Sequence, residues 1–271
     1  GGNGGRVFIE GGRGEGLDGV DDVGGDVEIF AGSAAAATGG SILMRAGSSD
    51  GASSGQIVVL TANTGRVGTS GDIFVATGTS SGNSGSLYVG TGDSNKGKGG
   101  DIGITVGKGS TGDGGQVIIA AGDTAAVASA GGGVHIAAGR GSSADTRNGG
   151  DGGGVVIRAG EAFGRGRFDR GGNVTVAGGQ ASGVGVGGDV RIVSGASAQL
   201  SSGRAEVLTA NAGQVGSSGG VAISTGTAAR GGSGEVLVST GDAASGASGA
   251  ITVRAGVAGS GQGGAVSIAG G

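Results

Sequence analysis

Along the chain, Val and Ile recur at alternate positions in short bursts, and each burst is bracketed by glycine. The unit reads G-x-(V/I)-x-(V/I)-x-(A/T)-G, as in Gly25-Asp26-Val27-Glu28-Ile29-Phe30-Ala31-Gly32, Gly71-Asp72-Ile73-Phe74-Val75-Ala76-Thr77-Gly78 and Gly115-Gln116-Val117-Ile118-Ile119-Ala120-Ala121-Gly122. Seventeen copies follow one another, usually about 15 residues apart. The fifth position is Ile or Val everywhere except Met44. β-Branched residues with a period of two predict a strand with one covered face, so positions three, five and seven are expected to point inward. Position seven carries Ala, Thr, Ser, Gly or the single Val106, which fits a place where the chain bends and a large side chain would collide with an opposite layer. Position eight is Gly in all copies but two, Ala62 and Ala210, as suits a corner that needs positive φ or close backbone approach.

Between bursts lie turn formers such as Asp93-Ser94-Asn95-Lys96-Gly97-Lys98-Gly99, with no room for a helix. One strand and a short polar arc cannot bury an apolar face alone, so neighbouring units are expected to stack. The fold class expected on this ground is all-β, a β-solenoid (β-helix) of 17 strand-plus-loop units running through residues 1–271 as one continuous array. Two units per coil would give a flattened two-sheet stack of roughly 30 residues per coil, its side chains interdigitating across about 10 Å. One or three units per turn remain alternatives.

A longer period is superimposed. Val59-Leu60-Thr61-Ala62-Asn63 recurs as Val207-Leu208-Thr209-Ala210-Asn211, and Thr77 and Thr91 recur as Thr225 and Thr240, an offset of about 149 residues or nine units. The chain therefore divides into two blocks, about 1–149 and 150–271. It opens inside one repeat and closes on Ala269-Gly270-Gly271 without a polar cap, which leads us to expect further repeats or another subunit at the ends.

Composition narrows the field. Of 271 residues 76 are Gly, and there is no Pro, Cys or Trp. Collagen needs Gly at every third place with abundant Pro, so it is excluded. A formal net charge of −4 is too small, and the aliphatic spacing too regular, for a chain avoiding all order. No apolar run of about 18 residues exists to span a bilayer, and zero Cys removes disulfides and thiolate metal sites.

Candidate chemistry is sparse. His135 occupies an outward fourth position with no partner, and general-base catalysis needs one, so no catalytic residue is assigned. Gly97-Lys98-Gly99-Gly100 lacks the spacing of a phosphate loop, and no cofactor is expected. Calcium is considered only for the acidic loop Asp18-Gly19-Val20-Asp21-Asp22, since Asp26, Asp72, Asp101 and Asp189 are spaced too far apart to chelate together. Thr61, Thr77, Thr91, Thr209, Thr225 and Thr240 form columns at position seven that bring ice binding to mind, but that position is expected to face inward.

Position four is unusually apolar for an outward face: Phe8, Leu43, Val58, Phe74, Tyr88, Ile118, Val156 and Leu237. It is the candidate flank for lateral contact, against the alternative that such residues simply suit strands. The loops 11–24, 139–152 and 160–171 break the 15-residue rhythm. The last gathers Arg165, Arg167, Phe168 and Arg170 and is the second contact candidate, although one such loop on an acidic chain supplies too few phosphate contacts for nucleic acid. Asn173-Val174-Thr175 is a glycosylation sequon, which places a candidate glycan on Asn173 in a secreted eukaryotic setting.

This repeat grammar resembles that of long Gly-rich β-solenoid repeat proteins of extracellular fibres and surface adhesins. The resemblance implies an extracellular or cell-surface location and a stiff stalk or filament subunit that is not an enzyme. It would assemble by end-to-end continuation, with itself or further repeats as its partner. A binding module, such as a glycan adhesin or ice-binding protein, is the alternative.

Overall fold

Each repeat forms an unbent stretch of chain, and the residues between repeats turn it through a bend, at 35–37, 50–52, 95–97 and correspondingly along the sequence. This is seen in a computed structural model that describes residues 4–16, 22–65 and 67–270. The chain divides into two parts, Gly1–Val134 and His135–Gly271. Both are built of the same elements, a repeat followed by a loop.

The expected β-solenoid does not form. Among the described residues there is no helix and no strand, and therefore neither the two-sheet stack nor a coil of two units. The backbone bonds show why. A solenoid would pair residues about 15 or 30 apart, one or two units along the chain. Instead, the glycine at position one of a repeat donates its N–H to the carbonyl of the residue at position eight of the repeat just before it. The first part contains Gly25 to Gly12 at 2.7 Å, Gly40 to Gly32 at 2.8 Å, Gly55 to Gly47 at 2.9 Å and Gly132 to Gly122 at 2.9 Å. In the second part lie Gly153 to Gly139, Gly172 to Gly160 and Gly188 to Gly179, each at 2.9 Å, with Gly203 to Gly195 at 2.8 Å and Gly264 to Gly256 at 3.4 Å. Each such clasp closes a loop on itself. Among the described residues, consecutive repeats are thus joined by one such hydrogen bond or by none, with no ladder to hold a sheet together.

Without a sheet there is no layer to bury the aliphatic rows. No hydrophobic residue is buried among the described ones, and the accessible surface is 26999 Å². A folded globular chain of 24.6 kDa would expose about 10,000 Å² and its unfolded form about 36,000 Å². The chain thus keeps roughly three quarters of the unfolded value wet. Glycine is the physical counterweight, since ordering it costs more backbone entropy than ordering any other residue, and 76 glycines multiply that cost.

The inward turn expected for positions three, five and seven is corrected accordingly. Position three is half-covered, at 51–58% exposure from Val190 to Leu87 wherever it is a large aliphatic beyond the terminal Val7. Position five, at 64–94%, is as open as position four. Position seven is the best covered, with Gly11, Ala46, Thr61, Ala121, Ala159, Ser194 and Ala255 partly buried. It lies against the first glycine of the following repeat, as when Thr77 Cγ2 sits 3.5 Å from where a Cβ on Gly85 would stand. Among the described residues the position-eight glycines do not use positive φ. Gly68, Gly112, Gly216, Gly231, Gly246 and Gly261 do, and all of these lie within the loops.

Candidate interaction surface

The alternation read from the sequence survives at short range. Positions two and four of one repeat lie on the same side, as an unbent, extended stretch requires. Arg6 places its guanidinium carbon 5.3 Å from the centroid of the Phe8 ring, and Arg204 Nη2 meets Glu206 Oε1 at 2.6 Å. The position-four candidates Phe8, Leu43, Val58, Phe74, Tyr88, Ile118 and Val156 are all exposed, with Phe74 and Tyr88 reaching 89% and 90%. They are joined in exposure by position five, so the apolar surface is two-sided and wider than the single flank expected.

The basic loop has internal order. Asp169 Oδ2 accepts the Gly166 N–H at 2.7 Å, while the Asp169 N–H donates to the Gly166 carbonyl at 3.1 Å. This reciprocal pair closes a turn over 166–169. Gly164 and Gly166 leave room for the carboxylate, which occupies the space that a Cβ on Gly164 would need. The turn projects Arg167, whose guanidinium carbon is 5.1 Å from the Phe168 ring centroid, an arrangement attractive through the ring quadrupole. Arg165 and Arg170 flank it and are exposed. The loop thus exposes three arginines, of which Arg167 lies over an aromatic ring.

Other candidates are not brought together. His135 and Asn173 are exposed, as are Thr175, Asp26, Asp72 and Asp189. Asp101 is engaged by Lys98, with Nζ 2.8 Å from Oδ1. Among the described residues no cluster of three His, Cys, Asp or Glu is placed to hold a metal, and no helix is long and apolar enough to cross a membrane. Residues 18–21 of the acidic loop lie outside the described residues, while Asp22 packs its carboxylate against Gly16. The position-seven threonines turn their methyl groups onto glycine, and Thr91 also donates its hydroxyl to the Gly100 carbonyl at 3.3 Å. Thr61 is partly buried and the other five remain exposed. A depression of about 420 Å³ beside the Gly47–Gly55 clasp is lined by Arg45, Ala46, Gly47, Ser48 and Ser54.

Side chains also organise the loops. Ser49 accepts the Ala52 N–H at 3.0 Å, Ser80 that of Gly82 at 3.1 Å, and Ser197 that of Leu200 at 2.9 Å. Asp145 Oδ1 accepts from Arg147 at 2.8 Å and Asn148 at 3.1 Å. These two backbone donors hold its carboxyl below the ordinary value of 3.8. Such local turns were foreshadowed by the Ser, Thr and Asp content of the loops. The clasps were not foreshadowed, although one signal was present: position seven is β-branched in some runs of repeats and small in others. Comparison with known protein families, with characterised proteins and with solved structures finds no match to this chain.

Proposed function

We propose that this chain is a structural protein of fibres or cell surfaces, a subunit that completes itself by association with other copies rather than an enzyme. The observation that carries the reading is the regular aliphatic row at position three. Beyond Val7 it is half-exposed at every repeat that carries a large residue there, next to more exposed rows at positions four and five. Large apolar side chains left exposed repeat after repeat are the raw material of an association site, because a lone soluble chain rarely gathers much apolar surface without a partner to cover it. Backbone N–H and C=O groups outside the clasps add a second drive, since unpaired backbone along an extended chain is a template for pairing with another. The extracellular setting rests on the Gly-rich tandem grammar, which resembles that of fibre and surface proteins. The non-enzymatic reading rests on the sequence, which holds a single histidine, His135, in a register that aims no carboxylate or serine at it.

Sedimentation and electron microscopy over a range of concentrations test the proposal. Elongated assemblies should grow with concentration, and replacing Val27, Ile57 and Val117 by Asp should reduce them to single chains. Particles that remain single chains at every concentration, or assemblies indifferent to those replacements, would sink it.

A further inference from the structure

The clasps are not distributed at random. Nine junctions between repeats are clasped, and in each the preceding position seven is small: Gly11, Ala31, Ala46, Ala121, Ala138, Ala159, Gly178, Ser194 or Ala255. At the other seven, where no such bond forms among the described residues, position seven is β-branched: Thr61, Thr77, Thr91, Val106, Thr209, Thr225 or Thr240. We infer that the side chain at position seven decides whether a junction clasps, acting through the bulk of its γ branch.

The surroundings of the next glycine give the mechanism. At an unclasped junction, a Cβ built on that glycine meets only the branched side chain: Gly71 faces Thr61 Cγ2 at 3.5 Å, Gly100 faces Thr91 Cγ2 at 3.2 Å, and Gly115 faces Val106 Cγ1 at 2.7 Å. At a clasped junction it also reaches the backbone of position eight, beside the position-seven Cβ where that is alanine. Gly40 lies 3.2 Å from the Gly32 nitrogen, Gly132 lies 3.3 Å from the Gly122 nitrogen, and Gly188 lies 3.1 Å from the Gly179 nitrogen by the same measure. A γ carbon therefore acts as a wedge that keeps the glycine N–H from the carbonyl, and removing it lets the two backbones close.

Two alternatives are set aside by the same junctions. Loop length does not decide, because the clasp spans eight residues at Gly32–Gly40 and fourteen at Gly139–Gly153, while the unclasped Gly78–Gly85 and Gly92–Gly100 span seven and eight. The hydroxyl does not decide either, because Val106 behaves as the threonines do and Ser194 behaves as alanine does. The unclasped junctions fall in two runs, after Thr61 through Val106 and after Thr209 through Thr240. Three members of the first, Thr61, Thr77 and Thr91, recur one block later as Thr209, Thr225 and Thr240, so the choice is repeated with the block.

The inference concerns single junctions and stands independently of assembly. Amide hydrogen exchange of the full chain, resolved to single residues, tests it. Thr77→Ala and Thr77→Ser should each slow exchange at Gly85 by about two- to tenfold, the range expected for one added hydrogen bond. Thr77→Val should leave Gly85 unchanged, and Ala121→Thr should speed exchange at Gly132 by a similar factor with Gly172 and Gly188 unaffected. An unchanged Gly85 in Thr77→Ala, a Thr77→Ser variant that behaves as wild type, or an Ala121→Thr effect spread over every clasped glycine would each overturn it.

Discussion

A methyl group added at Gly132 would lie 3.2 Å from Ala121 Cβ and 3.3 Å from the Gly122 nitrogen, whereas one added at Gly32 would meet nothing within 4 Å. Close approach thus favours glycine at crowded position-one sites such as Gly132, Gly40 and Gly188. At position eight it supplies a carbonyl that any residue carries, and Ala62 and Ala210 occupy two of those places. Gly132→Ala is therefore expected to open its clasp at a cost of about 0.5–1.5 kcal/mol. Gly32→Ala should be neutral, or stabilising by about 0.4–1 kcal/mol through reduced freedom of the disordered chain. Amide exchange at Gly132 and at Gly40 separates the two outcomes. Asp145 provides a titration at the same scale. Its folded pKa is depressed by the Arg147 and Asn148 amides, so its contribution to the 145–148 turn is complete above its unperturbed 3.8 and is lost as pH falls through the lowered value. The carboxyl shift of Asp145 and the amide shifts of Arg147 and Asn148 should move together in that window. If the amides stay fixed while the carboxyl titrates, the hydrogen bonds are not the cause.

Among the elements, the loops matter more than the repeats. The alternation of the repeats is legible in the sequence, and the Arg6–Phe8 and Arg204–Glu206 contacts show it operating between positions two and four. The sequence does not reveal whom the backbone bonds. Val and Ile at alternate places suit any extended chain, paired or unpaired, because the preference reflects side-chain fit to a pleated surface. Likewise, the small or β-branched character of position seven is plain in the sequence, yet it reads equally well as a taper towards an opposite layer and as contact with the next glycine. The Arg165–Arg170 loop was legible as charge and aromatic content, but the part Asp169 plays in folding it back on Gly166 depends on geometry. The tolerance of the clasp to loop length gives a prediction here. Inserting four Gly/Ser residues after Ala35 should leave exchange at Gly40 within about twofold of wild type, since lengthening such a loop by half costs only about 0.4 kcal/mol. Loss of protection at Gly40 would show that the short loops are tuned in length after all.

For the whole molecule, the sequence supplied the count of repeats and the duplication of the block, because both are matters of spacing. Whether seventeen aliphatic bursts gather into an interior depends instead on backbone partners, and here each repeat offers its neighbour one bond or none. The clasps also have a mechanical meaning. Each holds a length of chain out of the direct path between two repeats, roughly 20–45 Å of slack for the spans of eight to fourteen residues that they bridge. Under tension, clasped stretches would lengthen in separate small yields, one bond at a time, and recover when released. The wedged stretches have no such links to break and would give way smoothly, so a single chain carries alternating zones of stepwise and continuous elasticity.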